Sequence, residues 1–117
     1  MKRNHRSLVA WQKAIELVER VYAETASFPK EELFGLTSQM RRAAVSVPAN
    51  IAEGAARSGA KELVRFLAIA TASLSELDTH MEIARRLGYL KSDKLTQEID
   101  TVSALLMGLS ASVKKNL

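Results

Sequence analysis

Apolar residues recur every third or fourth position through most of this chain, and no stretch of useful length alternates with period two. That pattern constrains the fold more than any other feature: a 3.6-residue period builds an amphipathic helix and cannot line one face of a strand. Four stripes can be read. The first is Leu8, Trp11, Ile15, Val18, Val21, Tyr22 and Thr25, with Ser7 in the place of an N-cap and Phe28-Pro29 closing the helix. Pro29 to Phe34 reads as a single helical turn ended by Gly35. The second stripe is Leu36, Met40, Ala44, Val47 and Ile51. Pro48 lies inside it, and its missing amide and crowding of the Ala44 carbonyl predict a kink. Gly54 to Gly59 carries the C-terminal signals of this helix. The third stripe runs Leu63, Phe66, Leu67, Ala70, Leu74, Leu77, Met81, Ala84 and stops at Arg85-Arg86-Leu87-Gly88. The fourth, capped by Ser92 or Asp93, is Leu95, Ile99, Val102, Leu106, Leu109 and Val113.

The links are short, so helices adjacent in sequence should be antiparallel neighbours in space. The expected fold is all-α, an antiparallel up-down-up-down four-helix bundle forming one domain over residues 1–117, with residues 1–7 as a flexible basic tail. Two prolines and five glycines are too few for the many tight turns of a β-sandwich. With no cysteine there is no disulfide scaffold, no Cys-ligated zinc and no thiol nucleophile. The apolar run after the basic N-terminus, Leu8 to Trp11, ends at Gln12-Lys13, short of the ~7 residues of a secretory core. A soluble, cytoplasmic protein without a membrane segment is expected.

Two helices have a second face. With Met40 at 0° and about 100° per residue, Leu36, Ala44, Val47 and Ile51 fall within roughly 40° of it. On the opposite side lie Ser38, Arg42, Val45, Ala49, Ala52, Glu53 and Ala56, small and half apolar. In the third helix Ile69, Ala72 and Ile83 stand off the core stripe, mixed with Arg65 and Glu76. Scattered apolar residues are ordinary on a protein surface. The small side chains favour the other reading, a contact with a second subunit made by Arg42, Val45, Ala49, Ala52, Glu53, Ala56, Ile69, Ala72 and Ile83.

Catalytic and cofactor signals are wanting. Gly54 to Glu62 approaches a phosphate loop, but Lys61 comes one place late, no Ser or Thr follows it, and no strand precedes it. Glu76 and His80 share a helix face, yet Leu77 stands where a di-metal Glu-x-x-His motif needs Glu, so His80 reads as a surface or interface residue. There is no Gly-x-Ser-x-Gly. No enzyme activity, cofactor or metal is expected. The remaining chemical signal is basic: the formal net charge is +4, from 17 Lys and Arg against 13 Asp and Glu. Ordinary solubilising charge fits that composition. If the cations instead hold phosphates, the tail residues Lys2, Arg3 and Arg6 come first and Arg57, Lys61, Lys114 and Lys115 second. Aromatic platforms for single strands are lacking, because Trp11, Phe28, Phe34 and Phe66 all fall at core-like positions.

The stretch from Phe34 through Arg41-Arg42, Pro48-Ala-Asn50 and Glu53-Gly54 is distinctive, together with Val9-Ala-Trp11-Gln-Lys-Ala14, Arg65-Phe-Leu-Ala-Ile-Ala70 and Leu87-Gly-Tyr-Leu90. On these residues the chain resembles the 23S ribosomal RNA intervening-sequence proteins, a four-helix bundle family that also includes the accessory variability determinant proteins of diversity-generating retroelements. The match covers nearly the whole chain; Ala10 stands where valine is usual in the family. The resemblance implies a bundle that assembles as a ring-like homopentamer and has no catalytic site. The retroelement members bind nucleic acid and associate with a reverse transcriptase. The implied partners are therefore further copies of the chain, nucleic acid with RNA favoured, and, in an adaptor role, a reverse transcriptase or other protein. Within the motif, Asn50 is expected to satisfy a backbone group freed by Pro48, and Arg42 and Glu53 to pair between subunits.

Overall fold

The computed structural model describes residues 1–117, which form four helices and no strand: α1 Val9–Thr25, α2 Leu36–Ala56, α3 Ala60–Arg86 and α4 Lys94–Lys114. Two 3₁₀ turns, Asn4–Ser7 and Lys30–Glu32, precede α1 and α2. One cluster of 22 buried residues, drawn from all four helices together with Phe28 and Leu90 of the links, makes the core. No helix is long and apolar enough to cross a membrane.

The core face of α1 differs from the expected one. Ala10, Ala14, Leu17, Val21 and Thr25 are buried, while Leu8, Trp11, Ile15 and Val18 are only half-buried and Tyr22 is exposed. Both sets repeat at helical spacing, one residue or about 100° apart, so periodicity alone cannot choose between them. Two alanines on the inner face allow α1 to approach its neighbours, and the bulkier Leu8, Trp11 and Val18 pack against the core from its margin. Ser7 does not cap the helix. Leu8 holds that place, and the Ser7 hydroxyl donates back to the Asn4 carbonyl at 2.9 Å.

Helix α2 starts where the Glu32 carboxylate accepts the Leu36 amide at 3.2 Å, satisfying one of the free donors of a helix N-terminus. The expected stripe, Leu36, Met40, Ala44, Val47 and Ile51, is buried, and the helix continues through the buried Pro48. The Asn50 amide does reach a carbonyl near the proline, but it is that of Ser46, at 2.8 Å, and not Ala44, whose donor Pro48 removes. It also donates to the Ser46 hydroxyl, which pairs with the Ser73 hydroxyl of α3 at 2.8 Å. Gly54 belongs inside the helix and is buried. A Cβ there would lie 2.8 Å from the Phe66 Cβ and 3.0 Å from the Leu63 Cδ1, so glycine is what lets α2 and α3 come this close.

Helix α3 buries Phe66, Leu67, Ala70, Leu74, Leu77, Met81 and Ala84 as expected, while Leu63, expected with them, is only half-buried, and the helix ends in a Schellman motif. Gly88, at φ +81°, donates to the Arg85 carbonyl, and the Tyr89 amide donates to Ala84 at 2.9 Å. In α4 the amide of Lys94 meets the Ser92 hydroxyl at 3.4 Å; Leu95, Ile99, Val102 and Leu106 are buried, and Leu109 and Val113 only half so.

Cross-helix contacts fix the neighbours. Arg41 of α2 donates to the Thr25 hydroxyl of α1 at 2.9 Å. Arg20 of α1 pairs with Glu98 of α4 at 2.9 Å, and that carboxylate raises the arginine pKa. Arg85 of α3 donates to the Thr96 hydroxyl of α4 at 2.8 Å. Tyr89 donates to Glu32 at 3.2 Å, and burial first, then this carboxylate, pushes its phenol pKa up.

Candidate nucleic-acid interface

The cations singled out in the sequence come from three separate stretches, and contacts bring those stretches together at one end of the molecule. Met1, Lys2, Asn4 and His5 line a cleft with Ala55 and Ala56, the last turn of α2. Arg57, just beyond that turn, lies over the Phe66 ring of α3 at 5.2 Å. Leu8, Val9 and Ala10 line a second cleft with Leu105, Gly108 and Leu109 of α4. Lys114 follows Leu109 by five residues, about 8 Å further along the axis. The three stretches 1–6, 53–65 and 101–117 hold eight Lys and Arg against Glu53 and Glu62, net +6, which leaves −2 for the rest of the chain.

The basic N-terminal segment is not the free tail expected. Asn4–Ser7 folds into a 3₁₀ turn over α1. Its His5 ring meets Trp11 edge-on at 5.1 Å, the Arg6 guanidinium lies 5.5 Å from the Trp11 centroid, and Gln12 donates to the Arg6 carbonyl at 2.8 Å. Trp11 supplies the reason. Half-buried at the margin, it recruits an aromatic edge and a cation to its open face.

Arg57 has its carboxylate, Glu53, at 3.5 Å, and Arg65 has Glu62 at 3.0 Å. The Arg65 hydrogen bond holds the Glu62 pKa below the usual carboxylate range. Lys2, Arg3, Arg6, Lys61, Lys114 and Lys115 are exposed and make no salt bridge. At the opposite end the arrangement is reversed: Arg85 and Arg86 both bind Glu82, at 2.7 and 2.9 Å, and the Arg86 bond lowers the Glu82 pKa.

The second face of α2 and α3 is open to solvent. Arg42, Val45, Ala49, Glu53, Ala56, Ile69, Ala72 and Ile83 are exposed, and Ala52 is half-buried. The Ser46–Ser73 contact brings the neighbouring Val45, Ala49, Ile69 and Ala72 beside one seam. Ile83 stands about three turns away from Ala72. Glu53 already has a partner within the chain in Arg57.

Two residues lie where the sequence did not put them. His80 is buried, 6% exposed, with Nε2 3.5 Å from Glu76 and Nδ1 unpartnered. It falls on the inner stripe between Leu77 and Ala84, a face that its polarity disguised. Phe34, expected in the core, is 93% exposed in the link before α2. There Gly35 turns the chain so that Leu36, not Phe34, starts the buried stripe. No cluster of three or more His, Asp or Glu is close enough to hold a metal ion.

Compared with known proteins, residues 6–108 match the family model described as 23S rRNA-intervening sequence protein. A search of the curated proteins found no match to the chain.

Proposed function

The chain belongs to the 23S rRNA-intervening sequence protein family, and from that premise we propose that it is a non-enzymatic, homo-oligomeric bundle protein that binds nucleic acid, RNA above all, through its basic end. The observation that carries the reading is the gathering of Lys2, Arg3, Arg6, Lys61, Lys114 and Lys115, all without a carboxylate partner, at one end of a chain whose remainder is net acidic. An antiparallel up-down-up-down order underlies it and is supported by the contacts. Along α2 and α3, Gly54 meets Phe66 and Ser46 meets Ser73; along α1 and α4, Leu8 lies near Leu109 and Arg20 near Glu98.

Assembly strengthens the field. A homopentamer, the number implied by the sequence resemblance, would carry about +20 and engage several phosphates at once. The open strip beside the Ser46–Ser73 seam, with its small and aliphatic side chains, is the surface offered for that contact. Light scattering should then give about five times the chain mass of 12.9 kDa, and Ala49→Glu should dissociate the assembly by placing an unpaired charge in a close helix contact. A monomer at micromolar concentration would remove the oligomer from the proposal.

The binding test is a mobility-shift titration with structured RNA and duplex DNA at two salt concentrations. It compares the intact protein with a triple variant, Lys2→Ala, Arg3→Ala, Arg6→Ala. Salt-sensitive shifts that weaken in the variant support the reading. No shift at low salt, with the oligomer intact, rejects it. A protein-binding adaptor, for instance for a polymerase, is the second reading, favoured by the bare Phe34 ring at the other end. Phe34→Ala should leave thermal stability unchanged in either case and would reduce capture of a polymerase only in the second.

A further inference from the structure

The aromatic rings near the basic end are all covered. Arg6 and His5 pack on Trp11, at 5.5 and 5.1 Å between centres. Arg57 and Arg65 lie over Phe66 at 5.2 and 4.5 Å, and that ring is itself buried. Further along the flank Arg41 covers Tyr22 at 4.6 Å. The barest ring, Phe34, follows Glu31 and Glu32 in the link at the far end, away from the basic cluster. Single strands are held largely by bases stacking on open aromatic faces in a basic groove. This end supplies the cations without the faces.

A double helix needs no such face, since its bases are already stacked and its phosphates line the outside. The molecule measures 45 × 26 × 19 Å, so the basic end is a surface roughly 26 Å across. Over ~26 Å a duplex carries about 15 phosphates, at one per ~1.7 Å, of which the facing third, roughly five, can be reached. Six cations without carboxylate partners stand there to meet them. Resting on the nucleic-acid reading above, we infer that the ligand of the basic end is double-helical nucleic acid, held through its phosphates, and that bases are not read by stacking.

The test uses the full chain, a 20-base-pair RNA duplex and one of its strands chosen to be unstructured. Binding is followed by fluorescence anisotropy from 50 to 200 mM salt. Trp11, the sole tryptophan, reports stacking through its own emission. The duplex should bind at least about tenfold tighter than the strand, with a log–log salt slope of about −4.5 from roughly five phosphate contacts. Trp11 emission should not be quenched by either ligand. Equal or tighter binding of the strand, with Trp11 quenched, overturns the inference and leaves the nucleic-acid reading standing. Binding of neither ligand at 50 mM salt overturns both.

Discussion

Two glycines lie inside helices, and their surroundings give substitution opposite signs. By helix propensity alone, Gly→Ala in a helix interior stabilises by up to about 1 kcal/mol. At Gly108 of α4 an added methyl meets no atom within 4 Å, so Gly108→Ala should keep that gain. At Gly54 the same methyl lies 2.8 Å from the Phe66 Cβ, 3.0 Å from the Leu63 Cδ1 and 3.4 Å from the Leu63 carbonyl oxygen. Carbon atoms pack best at about 3.5–4.0 Å. The Leu63 methyl can rotate away; the Phe66 Cβ is fixed to the backbone of α3, so relief requires the two helices to part. Overpacking of this kind costs about 1–3 kcal/mol. Gly54→Ala should therefore be destabilised by a net ~0–2 kcal/mol, and the two variants should differ by the overpacking cost, about 1–3 kcal/mol. For a domain of this length each kcal/mol moves the melting temperature by about 4 °C. Urea unfolding followed by circular dichroism, at one protein concentration, reads both variants against the parent. A higher midpoint for Gly54→Ala, or equal shifts for the two, would refute the close approach of α2 and α3.

Three further outcomes are expected. His80→Leu should raise the urea midpoint by an amount equivalent to about 1 kcal/mol, because it removes a buried nitrogen that has no partner and retains only a 3.5 Å contact with Glu76; a lower midpoint would show that the imidazole is satisfied. Pro48→Ala should stay folded with undiminished helical circular dichroism, since it restores an amide to the Ala44 carbonyl; loss of the cooperative transition would show that the proline shapes the core. Glu62 and Glu82 both titrate below the ordinary carboxylate range because of Arg65 and Arg86. The unfolded chain then binds more protons, so their contribution is present above that range and lost as pH falls through the folded values. Glu82→Gln should flatten the acid limb of the stability profile, and an unchanged limb would count against the ion pairs.

What the sequence disclosed depended on whether each helix had one apolar stripe or two. In α2, α3 and the first half of α4 one stripe is clearly the more apolar, and all of it but the half-buried Leu63 is buried, although α2 also buries Thr37, Ala43, Pro48 and Gly54 and α3 buries His80. Helix α1 carries two at the same period, and the choice falls to how closely neighbours can approach Ala10 and Ala14, a tertiary matter. His80 was misplaced because polarity counts against burial in any pattern. Phe34 was misplaced because its hydrophobicity outweighed its position one residue before the Gly35 turn. The cations were visible one by one, but their meeting requires the order of the helices, and the arginine stack on Phe66 joins residues on either side of a helix turn that no spacing rule connects.

Helix electrostatics separate two explanations for the basic end. Cations belong at helix C-termini, where they complement the negative end of the dipole by about 0.3–1 kcal/mol each. Arg57, after the last turn of α2, and Lys114 and Lys115, at the end of α4, fit that rule and need no ligand to account for them. Lys2, Arg3 and Arg6 precede the N-terminus of α1, whose first turn contains no acidic residue, and Lys61 lies in the first turn of α3. Arg6, beside Trp11 in the first turn of α1, and Lys61 stand at the positive ends of helices, where an acid would stabilise and a cation does not, whereas Lys2 lies beside the last turn of α2, where a cation is favoured. General solubility could be served equally by the same charges on the long faces of α3 and α4, which carry no Lys or Arg from Phe66 to Ala84 or from Leu95 to Val113. Cations placed at the N-termini of two helices, against their dipoles, support the proposal of an external anion. In the proposed reading, nucleic-acid phosphates arriving from beyond the end of the bundle would meet those cations and the amides of both helix N-termini together.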